Sequence, residues 1–390
     1  MDWPQQPYEV HDPASLGLDP GRVAELVARA RREVDAGLLP SCQIALARHG
    51  RLALFDTIGD ADPTSRYVMF SCTKGFTAGA VWLLVGEGRL DWDTRAADVV
   101  AEFGTNGKDA ITVEQLLTHT SGFPQAPMSP ERAADPATRR EQLARWRCNW
   151  EPGTRFEYHP TSAHWVLGEI VREVTGEDLG SFVRARITGP LGLDRFELGA
   201  PPDHQGDVNE LVTVGEPPTP AELEAILGVP LDLADFLGEV TQDALLQFNR
   251  PEVRAIGFPG AGGIATAADL ALYYQAVAGN ALELWDPAVL AEATTSRVDL
   301  PDPVLGYPAH RSLGLQVAGD PPDAQLRGFG HGLSPRTYGH DGAGGQIACV
   351  DPDSGLSIGY LTNGLDANPI RDGRRKIGIA SRAAACIAAP

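Results

Sequence analysis

Positive charge and long apolar runs are both scarce in this 390-residue chain. Only 32 lysines and arginines stand against 52 aspartates and glutamates, which gives a formal net charge of −20. Such a balance repels a phosphate backbone or an anionic lipid surface, so neither nucleic acid nor a membrane is an expected partner. The longest apolar stretches, such as AGAVWLLVG at 78–86, reach half the length that a membrane span needs.

Cysteine is scarce as well, and it forms no recognisable motif. The chain has five widely spaced cysteines and no C-x-x-C pair: Cys42, Cys72, Cys148, Cys349 and Cys386. This spacing argues against a disulfide framework and against a zinc site. The first twenty residues carry neither a basic segment nor an apolar one, so no secretory signal is expected. We therefore expect a cytoplasmic protein that uses no metal and no cofactor.

Apolar periodicity gives the organisation of the chain. Residues 20–36 have helical spacing, and 41–59 alternate on both sides of His49-Gly50, which is typical of a β-hairpin. After about residue 255 come a glycine-rich turn, a helix, three strand-like segments (SLGLQVAG, GQIACVDP and LSIGYLTNG) and a closing helix, RRKIGIASRAAACIAA. Strands at both ends predict one antiparallel sheet. The predicted division is an α/β domain of residues 1–75 and 255–390 and a mostly helical domain of residues 76–254.

Two serines compete for the role of a nucleophile, and the first is Ser357. It lies in Gly355-Leu356-Ser357-Ile358-Gly359, which matches the G-x-S-x-G pattern of a nucleophile elbow. An elbow needs a strand, a sharp turn and a helix, with the triad histidine later in the chain. The last histidine is His340, and no helix directly follows Ser357. Ser357 is therefore predicted to belong to the scaffold, on the strand after the turn DPDSG.

The second candidate is Ser71, which is followed three residues later by Lys74. The chain has only three lysines, Lys74, Lys108 and Lys376, and this is its single S-x-x-K match. On a helix these two side chains share one face, so the amine would lie beside the hydroxyl. The start of a helix also offers N–H groups to an oxyanion. The alternative is a helix-capping serine with a solvated lysine.

The surrounding segments bear a family resemblance. They are Ser71-Cys72-Thr73-Lys74, LLTHTSGF at 116–123, FEYHPTSAHWVLGEIVREVTG at 156–176, GAGGIATAADLALY at 260–273 and YGHDGAGG at 338–345. Together, in this order, the chain resembles the serine β-lactamase and penicillin-binding-protein superfamily, most closely class C β-lactamases and family VIII carboxylesterases. The resemblance implies an α/β (α+β) fold with an antiparallel sheet flanked by helices, an inserted helical domain and an active site in the cleft between them.

The resemblance also implies roles for particular residues. Ser71 falls at the nucleophile, Lys74 at its proton-transfer partner and Tyr158 at the tyrosine of the Y-x-N motif. A tyrosine beside an ammonium is expected to be pushed toward phenolate. The K-T-G motif of the family falls on His340, Asp341 and Gly342. The N–H groups of the oxyanion hole would be those of Ser71 and Ala343.

The chain departs from the family pattern in two places. Pro160 stands where Y-x-N has asparagine, and Ser162, His159 and His164 are unranked candidates to replace the missing amide. A mostly neutral His340 and, if its side chain points inward, an anionic Asp341 stand where the family has lysine and threonine. That exchange disfavours a substrate that carries a carboxylate.

The predicted function is a serine carboxylesterase that hydrolyses neutral esters with short acyl groups, and the partner is a small-molecule ester. The first alternative is an amidase, a D-aminopeptidase or a weak β-lactamase on the same scaffold. The second is a catalytically silent penicillin-binding-like protein. Four aromatic residues are candidates for an acyl pocket, although aromatics near proline and glycine are more often ordinary packing: Phe123, Trp146, Trp150 and Phe258.

Overall fold

The computed structural model describes residues 3–227, 240–303, 306–320 and 327–388. Within these ranges there are eleven strands, six of which form the main sheet. The strands are β1 (Ser41–Arg48), β2 (Arg51–Gly59), β3 (Tyr67–Val68), β4 (Glu197–Leu198), β5 (Val212–Val214), β6 (Gly263–Ala265), β7 (Gln316–Val317), β8 (Tyr338–Gly342), β9 (Gln346–Asp351), β10 (Leu356–Thr362) and β11 (Gly364–Asp366).

The same ranges contain fourteen α-helices. They are α1 (Pro20–Asp35), α2 (Thr73–Gly86), α3 (Ala96–Val99), α4 (Val113–Leu117), α5 (Pro130–Ala133), α6 (Pro136–Arg145), α7 (Ser162–Thr175), α8 (Leu179–Val183), α9 (Pro220–Leu227), α10 (Gln242–Leu246), α11 (Pro251–Ile256), α12 (Ala267–Gly279), α13 (Pro287–Ala293) and α14 (Pro369–Ala384). None of the described helices is both long enough and apolar enough to cross a membrane.

The main sheet is antiparallel and has the strand order β2-β1-β10-β9-β8-β7. β1 pairs with β10, so that Cys42 lies opposite Thr362 and Leu46 lies opposite Ile358. Strands from residues 41–59 and from residues 316–362 therefore meet in the centre of one sheet. The predicted antiparallel sheet flanked by helices is confirmed.

The predicted hairpin is confirmed as the β1–β2 pair. Arg48 lies opposite Arg51, which leaves a loop of His49 and Gly50. Both residues have positive φ, 54° and 76°. Positive φ at both central residues matches the twist of the flanking strands, and Gly50 adopts it at no steric cost.

Helices cover both faces of the sheet. On one face α1 and α14 pack their apolar residues against side chains of β1 and β10, such as Ile44 and Ile358. On the other face α12 lies close to β10 at Gly359, where a β-carbon would come within 2.0 Å of the Ala267 carbonyl oxygen. Gly359 is thus a glycine because a helix rests directly on the strand.

Two elements differ from the sequence-based expectation. Of SLGLQVAG, only Gln316–Val317 forms a strand, at the edge of the sheet. The closing helix begins earlier than expected, at Pro369, where the Asn368 side chain caps it by accepting hydrogen bonds from the N–H groups of Ile370 and Arg371. Proline at the first helical position and asparagine at the cap explain this start.

Candidate active site

Ser71 lies in a sharp turn that leads into α2. It belongs to a 3₁₀ turn, Phe70–Cys72, directly after β3, and Phe70 has a φ of 44°. A large side chain rarely adopts this left-handed conformation, so the turn stores strain beside the serine. Thr73 braces the turn, because its hydroxyl donates to the Phe70 carbonyl (2.6 Å) and accepts from the Gly263 N–H (2.9 Å). Ser71 remains partly exposed.

Lys74 is fully buried beneath the serine. Its Nζ lies 3.1 Å from Ser71 Oγ, 2.7 Å from the Pro160 carbonyl oxygen and 2.8 Å from the Gly260 carbonyl oxygen. Burial, followed by the charge of Arg311, lowers the pKa of Lys74 to about 7. Near neutral pH about half of such amines carry no charge, and a neutral amine can accept a proton.

Tyr158 approaches the same serine oxygen. Its hydroxyl donates to Ser71 Oγ at 2.8 Å. The ring lies beside two cationic groups, with Lys74 Nζ 5.1 Å and Arg311 Cζ 5.2 Å from its centroid. The expected shift toward phenolate is wrong. Burial raises the pKa of Tyr158, and this effect outweighs the lowering by the Ser71 hydrogen bond and the Arg311 charge. The residue is a phenol that donates.

The LLTHTSGF segment supports the Tyr158 loop. His119 Nδ1 accepts a hydrogen bond from the His159 N–H (3.2 Å). The His159 ring in turn donates through Nδ1 to the Glu157 carbonyl (2.6 Å) and accepts at Nε2 from the Phe123 N–H (3.1 Å). This network fixes the backbone on both sides of Tyr158.

At the departure from Y-x-N, the Pro160 carbonyl is the group that reaches the site, through its bond to Lys74. Ser162 donates to the Phe123 carbonyl (2.9 Å). Both ring nitrogens of His159 already have partners, the Glu157 carbonyl and the Phe123 N–H. His164 is fully buried and neither of its ring nitrogens has a hydrogen-bond partner. Of the three candidates to replace the amide, only His164 has unused nitrogens.

His340 is buried on β8 and is neutral. Burial, followed by the charges of Lys74 and Arg311, lowers the pKa of His340 to about 3. Its Nδ1 lies 2.6 Å from the Asp341 carbonyl oxygen, and its Nε2 lies 3.4 Å from Arg311 Nη1. A carbonyl only accepts and a guanidinium only donates, so Nδ1 carries the proton. The predicted neutral histidine is therefore consistent with the structure.

Asp341 does not present a free negative charge to the site. Its carboxylate accepts from Lys376 Nζ at 2.7 Å and from Gln316 Nε2 at 3.1 Å. Burial is the largest single effect and acts to raise the pKa of Asp341, but the charge and hydrogen bond of Lys376, together with smaller contributions from other groups, outweigh it and the pKa is lowered. The conditional expectation that this carboxylate repels an anionic substrate is therefore not met, because its charge is neutralised by Lys376.

Gly342 allows β8 to approach the turn that carries Ser71. A β-carbon at Gly342 would lie 2.6 Å from the Met69 carbonyl oxygen. The next residue, Ala343, lines the same cavity as Ser71. The two N–H groups expected to form an oxyanion hole thus belong to residues that line one cavity.

An apolar cavity of about 370 Å³ opens in front of Ser71. Its lining includes Phe70, Met128, Leu245, Phe248 and Phe258. Phe248 makes edge contacts with both Phe70 (5.5 Å between centroids) and Phe258 (5.3 Å). Such a lining favours an apolar group of the substrate.

Of the four aromatic candidates for an acyl pocket, only Phe258 is among the lining residues. Phe123 and Trp146 are buried and stack on each other at 5.8 Å. Trp150 lies under Arg155, 4.7 Å from its guanidinium carbon.

Two site residues were missed by sequence reasoning. Gly260 supplies a carbonyl to Lys74, and the glycine-rich segment GAGG was the available signal. Arg311 lies next to His340 and Tyr158, and no motif marks it. Within the part of the chain that the structure describes, no group of three or more histidine, cysteine, aspartate and glutamate side chains could hold a metal ion.

Ser357 lies inside the sheet, away from the cavity. Its side chain is fully buried, donates to the Ala271 carbonyl (2.7 Å) and accepts from Gln275 Nε2 (3.0 Å). A buried hydroxyl with both partners satisfied joins β10 to α12 and is not accessible to a substrate.

Comparisons with known proteins identify the family of the chain. The beta-lactamase family model matches residues 26–380. The esterase/beta-lactamase LipL of Mycobacterium tuberculosis is 28% identical over 319 residues, which are 76% of this chain and 69% of LipL. A family VIII carboxylesterase structure is similar with 27% identity and a TM-score of 0.75, and covers 94% of this chain and 99% of its own.

EstA from Arthrobacter nitroguajacolicus is similar with 26% identity and a TM-score of 0.77, over 95% of this chain and 99% of its own. The family model spans most of the chain, and the predicted resemblance and fold class are confirmed by it and by these structures. The chain therefore belongs to the beta-lactamase family and is a serine hydrolase of the esterase/β-lactamase type.

Proposed function

We propose that this protein is a carboxylesterase that hydrolyses neutral carboxylic esters with short acyl groups through an acyl-enzyme on Ser71. The observation that carries this proposal is the convergence of Lys74 Nζ (3.1 Å) and the Tyr158 hydroxyl (2.8 Å) on Ser71 Oγ, at the wall of an apolar cavity. A serine becomes a useful nucleophile only when a positioned base takes its proton, and this arrangement supplies one.

Hydrogen-bond counting favours Lys74 as the base in acylation. A neutral amine has two N–H donors and one lone pair. The carbonyls of Pro160 and Gly260 accept the two donors, which leaves the lone pair for the Ser71 hydroxyl. Tyr158 is the less suitable base, because burial keeps its phenol protonated. Its O–H instead stabilises the negative charge that develops on Ser71 Oγ.

The reaction then proceeds in two halves. Ser71 Oγ attacks the ester carbonyl carbon while its proton moves to Lys74, and the N–H groups of Ser71 and Ala343 bind the resulting oxyanion. The C–O bond to the alcohol breaks, and the Lys74–Tyr158 pair returns the proton to the departing oxygen. A water molecule attacks the acyl-enzyme, gives its proton to the same pair, and Ser71 leaves as a hydroxyl. One ester and one water become one acid and one alcohol.

The site lies between two groups of residues, which supports the two-domain division proposed from the sequence. Ser71, Phe258 and Ala343 belong to the proposed α/β domain of residues 1–75 and 255–390. Other lining residues, 127–130 together with Phe248, belong to the proposed helical domain of residues 76–254. Substrate would enter the cleft between them.

A neutral ester is the preferred substrate because the cavity is apolar and His340 is uncharged. The names of LipL and of the family VIII carboxylesterase support the same class. A second candidate is the hydrolysis of a carboxylate-bearing amide or β-lactam. It is favoured by the neutralisation of Asp341 by Lys376 and by the positive charge of Arg311, since neither repels an anion.

One experiment distinguishes these candidate functions. Turnover of p-nitrophenyl butyrate, a chromogenic cephalosporin and a D-alanyl p-nitroanilide is measured for the wild type, Ser71→Ala and the matched control Ser357→Ala. We expect the butyrate ester to be the best substrate, with activity lost in Ser71→Ala and kept in Ser357→Ala. Ester hydrolysis by Ser71→Ala would contradict the mechanism. Faster cephalosporin or anilide turnover would favour the second candidate, and no turnover or fluorophosphonate labelling would indicate a silent binder.

A further inference from the structure

Arg311 carries a buried positive charge beside His340 and Tyr158. Its side chain is 7% exposed, and no carboxylate in the described part of the chain lies within ion-pair distance of it. Its contacts are His340 Nε2 at 3.4 Å and the rings of Tyr158 and Phe156, at 5.2 and 5.4 Å from Cζ. Its Nε has no hydrogen-bond partner. The guanidinium is therefore poorly compensated.

Three other buried arginines, Arg66, Arg139 and Arg375, form ion pairs with carboxylates. Arg375 contacts Asp366 at 2.8 Å, and Arg139 contacts Glu169 at 2.8 Å. An unpaired buried charge is costly, because it loses its hydration without gaining an ion pair. A cost of this kind beside a reactive serine suggests a role in the chemistry rather than in the fold.

Arg311 and Lys74 share one aromatic ring. Lys74 Nζ and Arg311 Cζ lie 5.1 and 5.2 Å from the centroid of Tyr158, so the two cationic groups contact the same buried ring. The positive charge of Arg311 disfavours a second positive charge on the Lys74 amine, because little water screens the two buried groups. Burial lowers the pKa of Arg311, but a guanidinium starts so far above neutrality that it keeps its proton. The amine is therefore the group that loses charge.

Several other titratable groups face these two cations, and most are neutral. Burial lowers the pKa of the surrounding histidines and raises that of the Cys72 thiol. Asp341 is paired with Lys376, and Asp302 acts on Arg311 through its charge at longer range. The groups that face Lys74 or Arg311 are Cys72, His119, Tyr158, His159, His164, Asp302, His340 and Asp341.

We propose that Arg311 is a positioning residue whose unpaired positive charge favours the neutral amine of Lys74 and fixes the ring of His340 beside Tyr158. This inference rests on the proposed roles of Ser71 and Lys74. Arg311 acts through those groups and has no place among the residues that line the cavity.

The test compares Arg311→Met and Arg311→Lys with the wild type and with Arg254→Met. Arg254 is a matched control, because it is also 7% exposed and contacts Gln205 rather than a carboxylate (2.7 Å). The readouts are the thermal midpoint and the pH profile of fluorophosphonate labelling of Ser71. Labelling reports serine activation without any assumption about the substrate, so a wrong substrate class would not affect the result.

In Arg311→Met we expect the acid limb of the labelling profile to lie about one pH unit higher than in the wild type. At pH 6 to 7 the labelling rate would then be about tenfold lower. Arg311→Lys and Arg254→Met are expected to keep the wild-type limb. Arg311→Met is also expected to be at least as stable as the wild type, because it removes an unpaired buried charge. An unmoved limb in Arg311→Met, or a limb in Arg311→Lys that moves as far as in Arg311→Met, would overturn the proposal. So would a thermal midpoint for Arg311→Met far below that of Arg254→Met, which would indicate a structural role.

Discussion

The main chain of Gly260 lies directly against the Lys74 amine. Its carbonyl oxygen is 2.8 Å from Nζ, and a β-carbon at Gly260 would lie 3.3 Å from the same atom. That β-carbon would also lie 3.1 Å from His164 Cβ, so either the amine or the His164 side chain would have to shift. The position of the amine thus depends on the absence of a side chain at residue 260.

Replacing Gly260 by alanine is expected to lower kcat/KM by about 10²-fold, because a displacement of the amine by a fraction of an ångström breaks its alignment with Ser71. Kinetics with a p-nitrophenyl ester measure the effect. Gly206→Ala is the control, since a β-carbon there meets nothing within 4 Å. Equal kinetics for the two variants would show that the site accommodates the extra methyl group.

The pH dependence of kcat/KM is expected to have an acid limb near pH 7, set by Lys74. The neutral amine is the proposed active form, so activity rises as pH increases through this pKa and falls as the amine is protonated below it. His340 has a pKa of about 3 and adds no limb in the range from pH 5 to 9. Lys74→Arg is expected to lose about 10³-fold of activity at every pH, because arginine stays protonated. A profile that is flat from pH 5 to 9 would contradict the assignment.

Removing Lys376 is expected to destabilise the fold around β8. In the wild type the Asp341 side chain is 25% exposed and forms an ion pair with Lys376 at 2.7 Å, which Lys376→Met removes. We expect the free energy of unfolding to fall by about 1–3 kcal/mol, most of it the cost of the unpaired carboxylate. Chemical denaturation measures this change. The double variant Lys376→Met/Asp341→Asn should recover part of the loss, and a loss as large as in the single variant would indicate that Lys376 acts through packing.

Truncation of Phe248 is expected to change acyl selectivity. Its ring contacts Phe70 and Phe258 in the apolar cavity, so Phe248→Ala enlarges the space in front of Ser71. We expect kcat/KM for p-nitrophenyl butyrate to fall about tenfold while longer acyl chains lose less, since one aromatic contact contributes about 1 kcal/mol beyond its buried area. A series of p-nitrophenyl esters from acetate to octanoate measures this. Phe329→Ala, in the core on the other face of the sheet, is the control for general destabilisation.

The parts of the site that follow from local periodicity could be predicted from the sequence. Ser71 and Lys74 are three residues apart at the start of a helix, so their side chains had to meet. Tyr158 could be assigned only because the segments around it occur in the same order as in the family. The rejection of Ser357 needed no structure, because no histidine follows it in the chain.

The remaining features depend on tertiary placement. The sequence does not indicate that Arg311, far from any motif, reaches His340, or that Lys376 of α14 neutralises Asp341. The prediction that Tyr158 shifts toward phenolate was wrong for a related reason. A neighbouring ammonium lowers a phenol pKa, burial raises it, and only the folded environment decides which effect is larger.

The pairing of β1 with β10 has a consequence for biosynthesis. The Thr362 hydroxyl donates to the Ser41 carbonyl across 321 residues of chain, so the central strands of the sheet can pair only after residue 362 has left the ribosome. Until then β1 and β2 expose a hairpin edge on which aggregation can start. A nascent chain that stalls before residue 356 has its nucleophile and its lysine but lacks the strand that completes the sheet, and such a product would depend on a chaperone to remain unaggregated.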